Sequence, residues 1–185
     1  AAISHPSFFS RYQEIYGLTG TLGEEIERNE IKKIYNIDSF DVPPNRICLR
    51  KRTETLIVPN DDKKHELIIS KIKEITKQQR PILVIVLTIQ ESQQLSEKLK
   101  AKSIKHFVLN DTQSEDEDFI IDRAGKCGAV TIATNTAGRG TDIKLEKMAV
   151  KYGGLHVVIA FFPVNMRVEC QGLGRAGRQG QPGSC

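Results

Sequence analysis

"TIATNTAGRGTDI", residues 131–143, begins as a buried strand and ends as a polar site. Thr131, Ile132 and Thr134 are β-branched and suit a pleated strand. The chain then turns to Gly138, Arg139, Gly140, Thr141 and Asp142, placing an arginine and an aspartate three apart beside residues that free the backbone. In parallel α/β sheets, ligands sit beyond the carboxyl ends of the strands. A strand that runs straight into such a set therefore puts Arg139 and Asp142 on a ligand-facing edge.

The neighbouring sequence supplies the rest of such a sheet. The run "ILVIVL" (82–87) follows Pro81 and reads as a strand buried on both faces. "KHFVL" (105–109), "AVTIA" (129–133) and "LHVVIAF" (155–161) are three more strand candidates. Helical patterns fall between them. Leu95 and Leu99 stand i, i+4 on one face; Phe119, Ile120 and Ala124 follow a candidate N-cap, Ser114, and an acidic first turn. Leu67, Ile68, Ile72 and Ile75 form an apolar stripe ahead of the first strand. Alternating strands and helices predict an α/β fold with a mostly parallel sheet and right-handed crossovers.

Composition bounds what this fold can do. At 185 residues, with 39% hydrophobic and 27% charged residues, the chain suits one α/β domain with a short extension. A net charge of +4 permits an anionic ligand without implying nucleic acid. Cys48, Cys127, Cys170 and Cys185 lie far apart with no C-x-x-C pair, which predicts reduced thiols and argues against zinc; no metal ligands are expected. The apolar runs are too short to cross a bilayer, and no signal peptide opens the chain. Ala1 in place of Met, and an end just after Ser184 where a further strand is expected, lead us to expect a segment of a longer protein. His156, in an apolar run, reads as a core or edge histidine; His65 and His106 read as surface groups.

Residues 41–52, "DVPPNRICLRKR", hold two adjacent prolines and then Arg46, Arg50, Lys51 and Arg52. Prolines stop regular structure, so the stretch reads as a linker between lobes or as a surface loop with a solvated charge run. Upstream, "GLTGT" (17–21) precedes a charged helical segment and reads as a cap or an anion-friendly turn. Near the other end, "QGLGRAGRQGQPGS" (171–184) sets Arg175 and Arg178 three apart, each preceded closely by glycine. On a helical turn the two would share a face. Gly174 and Gly177 remove bulk where a ligand or another backbone approaches. Guanidinium offers phosphate oxygens a fixed charge and a forked donor set, so a polyphosphate is the expected ligand.

These stretches together resemble the second ATPase lobe of superfamily-two motors and, more closely, the SecA family of preprotein translocase ATPases. "TIATNTAGRGTDI" differs from that family's T-I-A-T-N-M-A-G-R-G-T-D-I only at Thr136, while "GLTGT", "VPPNR", "SIKHFVLN" and "GGLHVV" follow its motifs in order. The resemblance implies a RecA-like, P-loop-type three-layer sandwich preceded by a short N-terminal extension. Residues 1–40 would be the tail of the first nucleotide-binding lobe, 41–52 the inter-lobe linker and 53–185 the second motor lobe, cut short at its C-terminus. It implies ATP with magnesium at a composite inter-lobe site, the magnesium held mainly by the first lobe. Arg175 and Arg178 would be arginine fingers and Gln171 would hold their network. Gly138, Arg139, Gly140 and Asp142 would face the nucleotide, and Thr19, Gly20 and Thr21 would belong to the first lobe's coupling element. The implied partners are a preprotein, a membrane-embedded protein-conducting channel, the first motor lobe and, through the full-length protein, an anionic membrane surface. Nucleic acid is disfavoured. The implied location is cytoplasmic and peripheral at the inner membrane in a bacterium, or stroma or cytosol in a eukaryote.

Two departures stand out. "AFFPVNMR" (160–167) replaces the family's charged T-E-R-H-E-S-R-R, and Leu173 replaces its arginine. No G-x-x-x-x-G-K-[ST] occurs, so the phosphate-cradling lysine is missing and the chain alone is expected not to turn over ATP. A helicase lobe and a non-catalytic module that kept the fold are the competing readings.

Overall fold

The computed structural model describes residues 2–110, 117–137 and 141–185. Two helices open the chain, α1 (His5–Phe9) and α2 (Glu25–Tyr35), followed by a short strand β1 (Leu49–Lys51). Then come α3 (Asp61–Lys77), β2 (Ile82–Val86), α4 (Ile89–Ala101), β3 (Phe107–Leu109), α5 (Glu117–Ala124) and β4 (Val130–Thr134). The chain continues through α6 (Lys147–Lys151), β5 (Leu155–Ile159), α7 (Met166–Leu173) and β6 (Pro182–Ser184). The six strands lie in the order β1-β6-β5-β2-β4-β3, and every neighbouring pair is parallel.

The central strands are apolar throughout because both faces are covered. Ile82, Val84 and Val86 pack with Ile68, Ile72, Leu95 and Leu99 of α3 and α4 on one face. Leu83 and Ile85 pack on the other with Ile120 of α5, Leu155 and Val157 of β5, and Ala176 just after α7. The result is three layers. Each fully buried Ile or Leu contributes about 1.5–3 kcal/mol over an exposed one. Helix α3 starts where Asn60 Oδ1 accepts from Lys63 N at 2.9 Å. Helix α4 starts with a reciprocal cap, Glu91 N donating to Thr88 Oγ1 at 3.1 Å and Thr88 N to Glu91 Oε2 at 3.3 Å.

Several helix faces differ from the sequence expectation. Leu67 is 36% exposed and leaves the stripe to Ile68, Ile69, Ile72 and Ile75. Phe119 is 54% exposed, stacked edge-on against Phe107 beneath the Arg123 guanidinium, while Ile120 and Ala124 face the core. His65 is no surface group. It is 5% exposed between α3 and α4, and its Nδ1 accepts from Lys98 Nζ at 3.0 Å. Burial, then the charges of Lys98 and Lys64, hold its pKa below the ordinary histidine value. His106 is half-buried, bridging Ser96 Oγ and the Ile104 carbonyl at 2.8 Å each. The expected N-cap Ser114 lies outside the described residues.

Two short strands were hidden in the sequence. Pro182–Ser184 is itself a strand, and Leu49–Lys51 pairs with it in the register Arg50↔Gly183. Cys185 N donates to Lys51 O at 3.0 Å and Thr53 N to Cys185 O at 2.7 Å, which fastens the stretch after the two prolines to the sheet. Side chains add little at such an edge, so composition carries little signal there.

Candidate functional site

Strand β4 delivers the site. Beyond Thr134 the chain stays tied to the sheet, with Asn135 N donating to Val86 O at 3.0 Å. Thr134 Oγ1 then accepts from Ala137 N at 3.3 Å and closes a turn. That turn leaves the Ala137 carbonyl beside the segment that returns after α7. Helix α7 begins at an Asn165 cap accepting from Val168 N at 3.0 Å and ends at Gly174.

Arg175 reaches this turn, and Arg178, at the start of a short 3-10 helix (Arg178–Gly180), reaches the segment at Thr141 and Asp142. Gly177 has φ +68°, so no helical turn joins Arg175 to Arg178; the chain reverses between them. Arg175 Nη2 donates to Ala137 O at 3.1 Å. Arg178 Nε donates to Gly174 O at 3.0 Å, and its Nη1 donates to Thr141 O and Asp142 Oδ1, both at 2.9 Å. Gln179 Nε2 takes the other Asp142 oxygen at 3.2 Å. Burial first, and the neighbouring Arg178 charge second, push the pKa of Arg175 below its ordinary value. A cation so placed is relieved by an incoming anion.

Gln171 makes a separate contact. Its Nε2 donates to Thr21 Oγ1 at 3.3 Å, and Thr21 N donates to Thr19 Oγ1 at 3.2 Å. A Cβ on Gly20 would meet nothing within 4 Å. The structure thus groups Asp142, Arg175 and Arg178, and joins Gln171 to the early Thr19–Thr21 turn. Gly138, Arg139 and Gly140 lie outside the described residues. Gln179, Arg46 and Arg50 were not anticipated. Arg50 Nη1 donates to the carbonyls of Leu173 at 3.1 Å and Ala176 at 3.4 Å, and Arg46 Nη1 to Gln179 O at 3.1 Å. The basic run was visible in the sequence; its partners were not. After β5, Phe162 and Val164 are 91% and 84% exposed, whereas Ala160 is buried and Phe161 packs against the core, so the apolar stretch is only partly turned outward. Among the described residues, no group of His, Cys, Asp and Glu could hold a metal ion, and no helix is long and apolar enough to cross a membrane.

Residues 47–149 match the family of the SecA P-loop domain. The chain belongs to the SecA family. Its SecA relatives include "Protein translocase subunit SecA 2" of Nitrosospira multiformis, 40% identical over 98% of this chain and 27% of the relative. "Protein translocase subunit SecA" of Chlorobium phaeovibrioides is 41% identical over 99% of this chain and 18% of its own. That of Syntrophus aciditrophicus is 41% identical over 100% of this chain and 22% of its own. The chain therefore spans between 18% and 27% of the length of these SecA proteins. Among solved structures, S. cerevisiae Dbp5 bound to RNA and ADP BeF3 superposes with a TM-score of 0.62 at 22% identity, over 88% of this chain and 41% of that one. At that identity the likeness is one of fold. It bears out the α/β, RecA-like sandwich, with the sheet wholly parallel.

Proposed function

We propose that this chain is the second motor lobe, with the tail of the first, of an ATP-driven protein-translocation ATPase. The convergence of Arg178 and Gln179 on Asp142, with Arg175 held beside it at Ala137 O, carries the reading. Two neighbouring guanidinium groups would suit the outer oxygens of a terminal phosphate seated in the first lobe. ATP would supply the free energy of a phosphoryl transfer. The chain's own residues bind and orient: Arg175 and Arg178 neutralise charge on the transferred group, and Asp142 holds Arg178 in place until then. An arginine in that role contributes about 10³–10⁵ in rate. The donor set here does not fit the magnesium, which falls to the first lobe. Gln171 and Thr21 join the two lobes' elements, with residues 1–40 as the first lobe's tail, 41–52 as linker and 53–185 as the second lobe. On this reading the substrate is a preprotein and the partner a membrane-embedded channel, and the location is cytoplasmic and peripheral at the inner membrane in a bacterium, or stroma or cytosol in a eukaryote.

Phosphate release tests the reading. The chain alone should release none above background, for want of a lysine-bearing phosphate loop. In the protein that joins it to its first lobe, Arg178→Ala should cut kcat at least a hundredfold while ATP affinity changes little. Turnover untouched by Arg178→Ala sinks the reading.

A further inference from the structure

We propose that Arg46 and Arg50 are positioning residues that hold the turn bearing Arg175 and Arg178, so that the path of the 41–52 segment sets where both guanidinium groups stand. The proposal rests on the ATP-site reading for its consequence, but the clamp is geometric.

Arg50 lies mid-strand in β1, half-buried, and its Nη1 bridges Leu173 O at 3.1 Å and Ala176 O at 3.4 Å. The Leu173 carbonyl also accepts from Ala176 N at 3.1 Å, so Arg50 adds a second donor where α7 ends. One guanidinium therefore ties the last residue of α7 to the residue after Arg175. Arg46 Nη1 meets Gln179 O at 3.1 Å, one residue beyond Arg178. Each arginine thus grips the backbone next to a proposed finger.

The glycines of the turn are seats for this clamp. A Cβ on Gly177 would stand 2.8 Å from Arg50 Cβ and 3.2 Å from Arg50 N, and its φ of +68° disfavours any side chain. A Cβ on Gly180, at φ +73°, would stand 3.0 Å from both Cβ and Cδ of Arg46. What approaches Gly177 is the β1 backbone. Between these seats, Gln179 has φ +54°, a left-handed conformation that a non-glycine residue adopts at a cost. Its backbone carbonyl accepts from Arg46 and its side-chain Nε2 donates to Asp142, which offset that cost. A displacement of the segment at 46–50 must therefore move the turn or break these bonds. If the segment links two lobes, their relative position is read directly at the arginine pair.

The test uses the protein that joins this chain to its first lobe, comparing wild type, R50Q, R50K, R46Q and R178Q. ATP turnover, ATP affinity and amide hydrogen exchange are measured for each. R50Q should lower kcat at least tenfold with the ATP Kd within twofold. The amides of residues 176–181 should exchange at least tenfold faster while those of β2 and β4 stay protected. R50K, which keeps charge without the fork, should recover part of the kcat. Unchanged exchange at 176–181 overturns the clamp. Faster exchange with unchanged kcat overturns the positioning role and leaves a structural tie. If R50Q loses its fold, R46Q decides by the same two readouts, since its bond is exposed. Normal turnover in R178Q overturns the ATP-site reading together with the role, whereas R178Q inactive beside an unaffected R50Q and R46Q overturns the positioning role alone.

Discussion

Arg178 Nη1 and Asp142 Oδ1 lie 2.9 Å apart, joining the turn after α7 to the polar segment after β4. The two side chains are 36% and 41% exposed, so water screens much of their attraction. Such a pair contributes about 0.2–1 kcal/mol to folding. Asp142→Asn should therefore lower Tm by no more than about 3 °C in a chain of this size. It should nonetheless reduce ATP turnover at least tenfold in the two-lobed protein, because Arg178 loses its countercharge and a single amide oxygen replaces the two carboxylate oxygens used by Arg178 and Gln179. Thermal melting beside phosphate release separates the two effects. A large Tm loss with turnover in proportion would make the pair structural.

The central sheet was legible because its strands are buried on both faces, leaving unbroken apolar runs at 82–86 and 130–134. Leu95 and Leu99 were legible for the same reason, each fully buried on one face of α4. The edge was not. Pro182–Ser184 and Leu49–Lys51 are strands by backbone pairing, which side-chain pattern does not record. His65 misled because its burial depends on Lys98, 33 residues on. At the site, Asp142 and the two arginines were readable as residue types, but their convergence needs a reversal at Gly177 rather than a helical turn. The tie from Arg50 to Leu173, 123 residues apart, leaves no local trace at all.

His156 should make stability depend on pH. It is 4% exposed, and its Nδ1 meets Ser184 Oγ at 2.7 Å, while Arg80 Nη2 donates to the same hydroxyl at 2.6 Å. Burial first, then the Arg80 and Lys71 charges, lower its pKa to about 4, with Glu74 opposing weakly. The unfolded chain binds the proton near pH 6.5. The folded state thus favours neutral imidazole: the stabilisation is complete above about pH 6.5 and is lost as pH falls toward 4. Between those limits the loss runs at roughly 1.4 kcal/mol per pH unit for full burial, about 3 kcal/mol in all. Urea midpoints at pH 7 and pH 5 should converge for His156→Gln and diverge for the parent. Parallel pH curves for the two would refute the assignment.

The sheet core and the apolar stretch after β5 should respond oppositely to truncation. Ile132 is fully buried in β4 between helices and sheet, whereas Phe162 is 91% exposed. Ile132→Ala should cost about 2–5 kcal/mol through lost contacts and a residual cavity. Phe162→Ser should change folding by less than about 0.5 kcal/mol, as surface substitutions do. Chemical denaturation of both variants measures this directly. A costly Phe162→Ser would mean that the ring is covered in solution.

Two threonines on β4 make a final contrast. Thr131 is 1% exposed, and its Oγ1 finds no hydrogen-bond partner among the described residues. It stands in register between Leu83 of β2 and Phe107 of β3, an apolar setting for a hydroxyl. Leaving such a group unpaired costs about 1–3 kcal/mol, so Thr131→Val, of nearly the same shape, should raise stability by about 1 kcal/mol and Tm by about 2–4 °C. Thr134 is equally buried at 3% exposure, but its Oγ1 accepts from Ala137 N at 3.3 Å. Thr134→Val should lower stability by about 1 kcal/mol and loosen the turn whose Ala137 carbonyl receives Arg175. Melting curves of the two valine variants should therefore move in opposite directions. A shift of the same sign in both would show that burial of the hydroxyl, rather than its pairing, sets the cost.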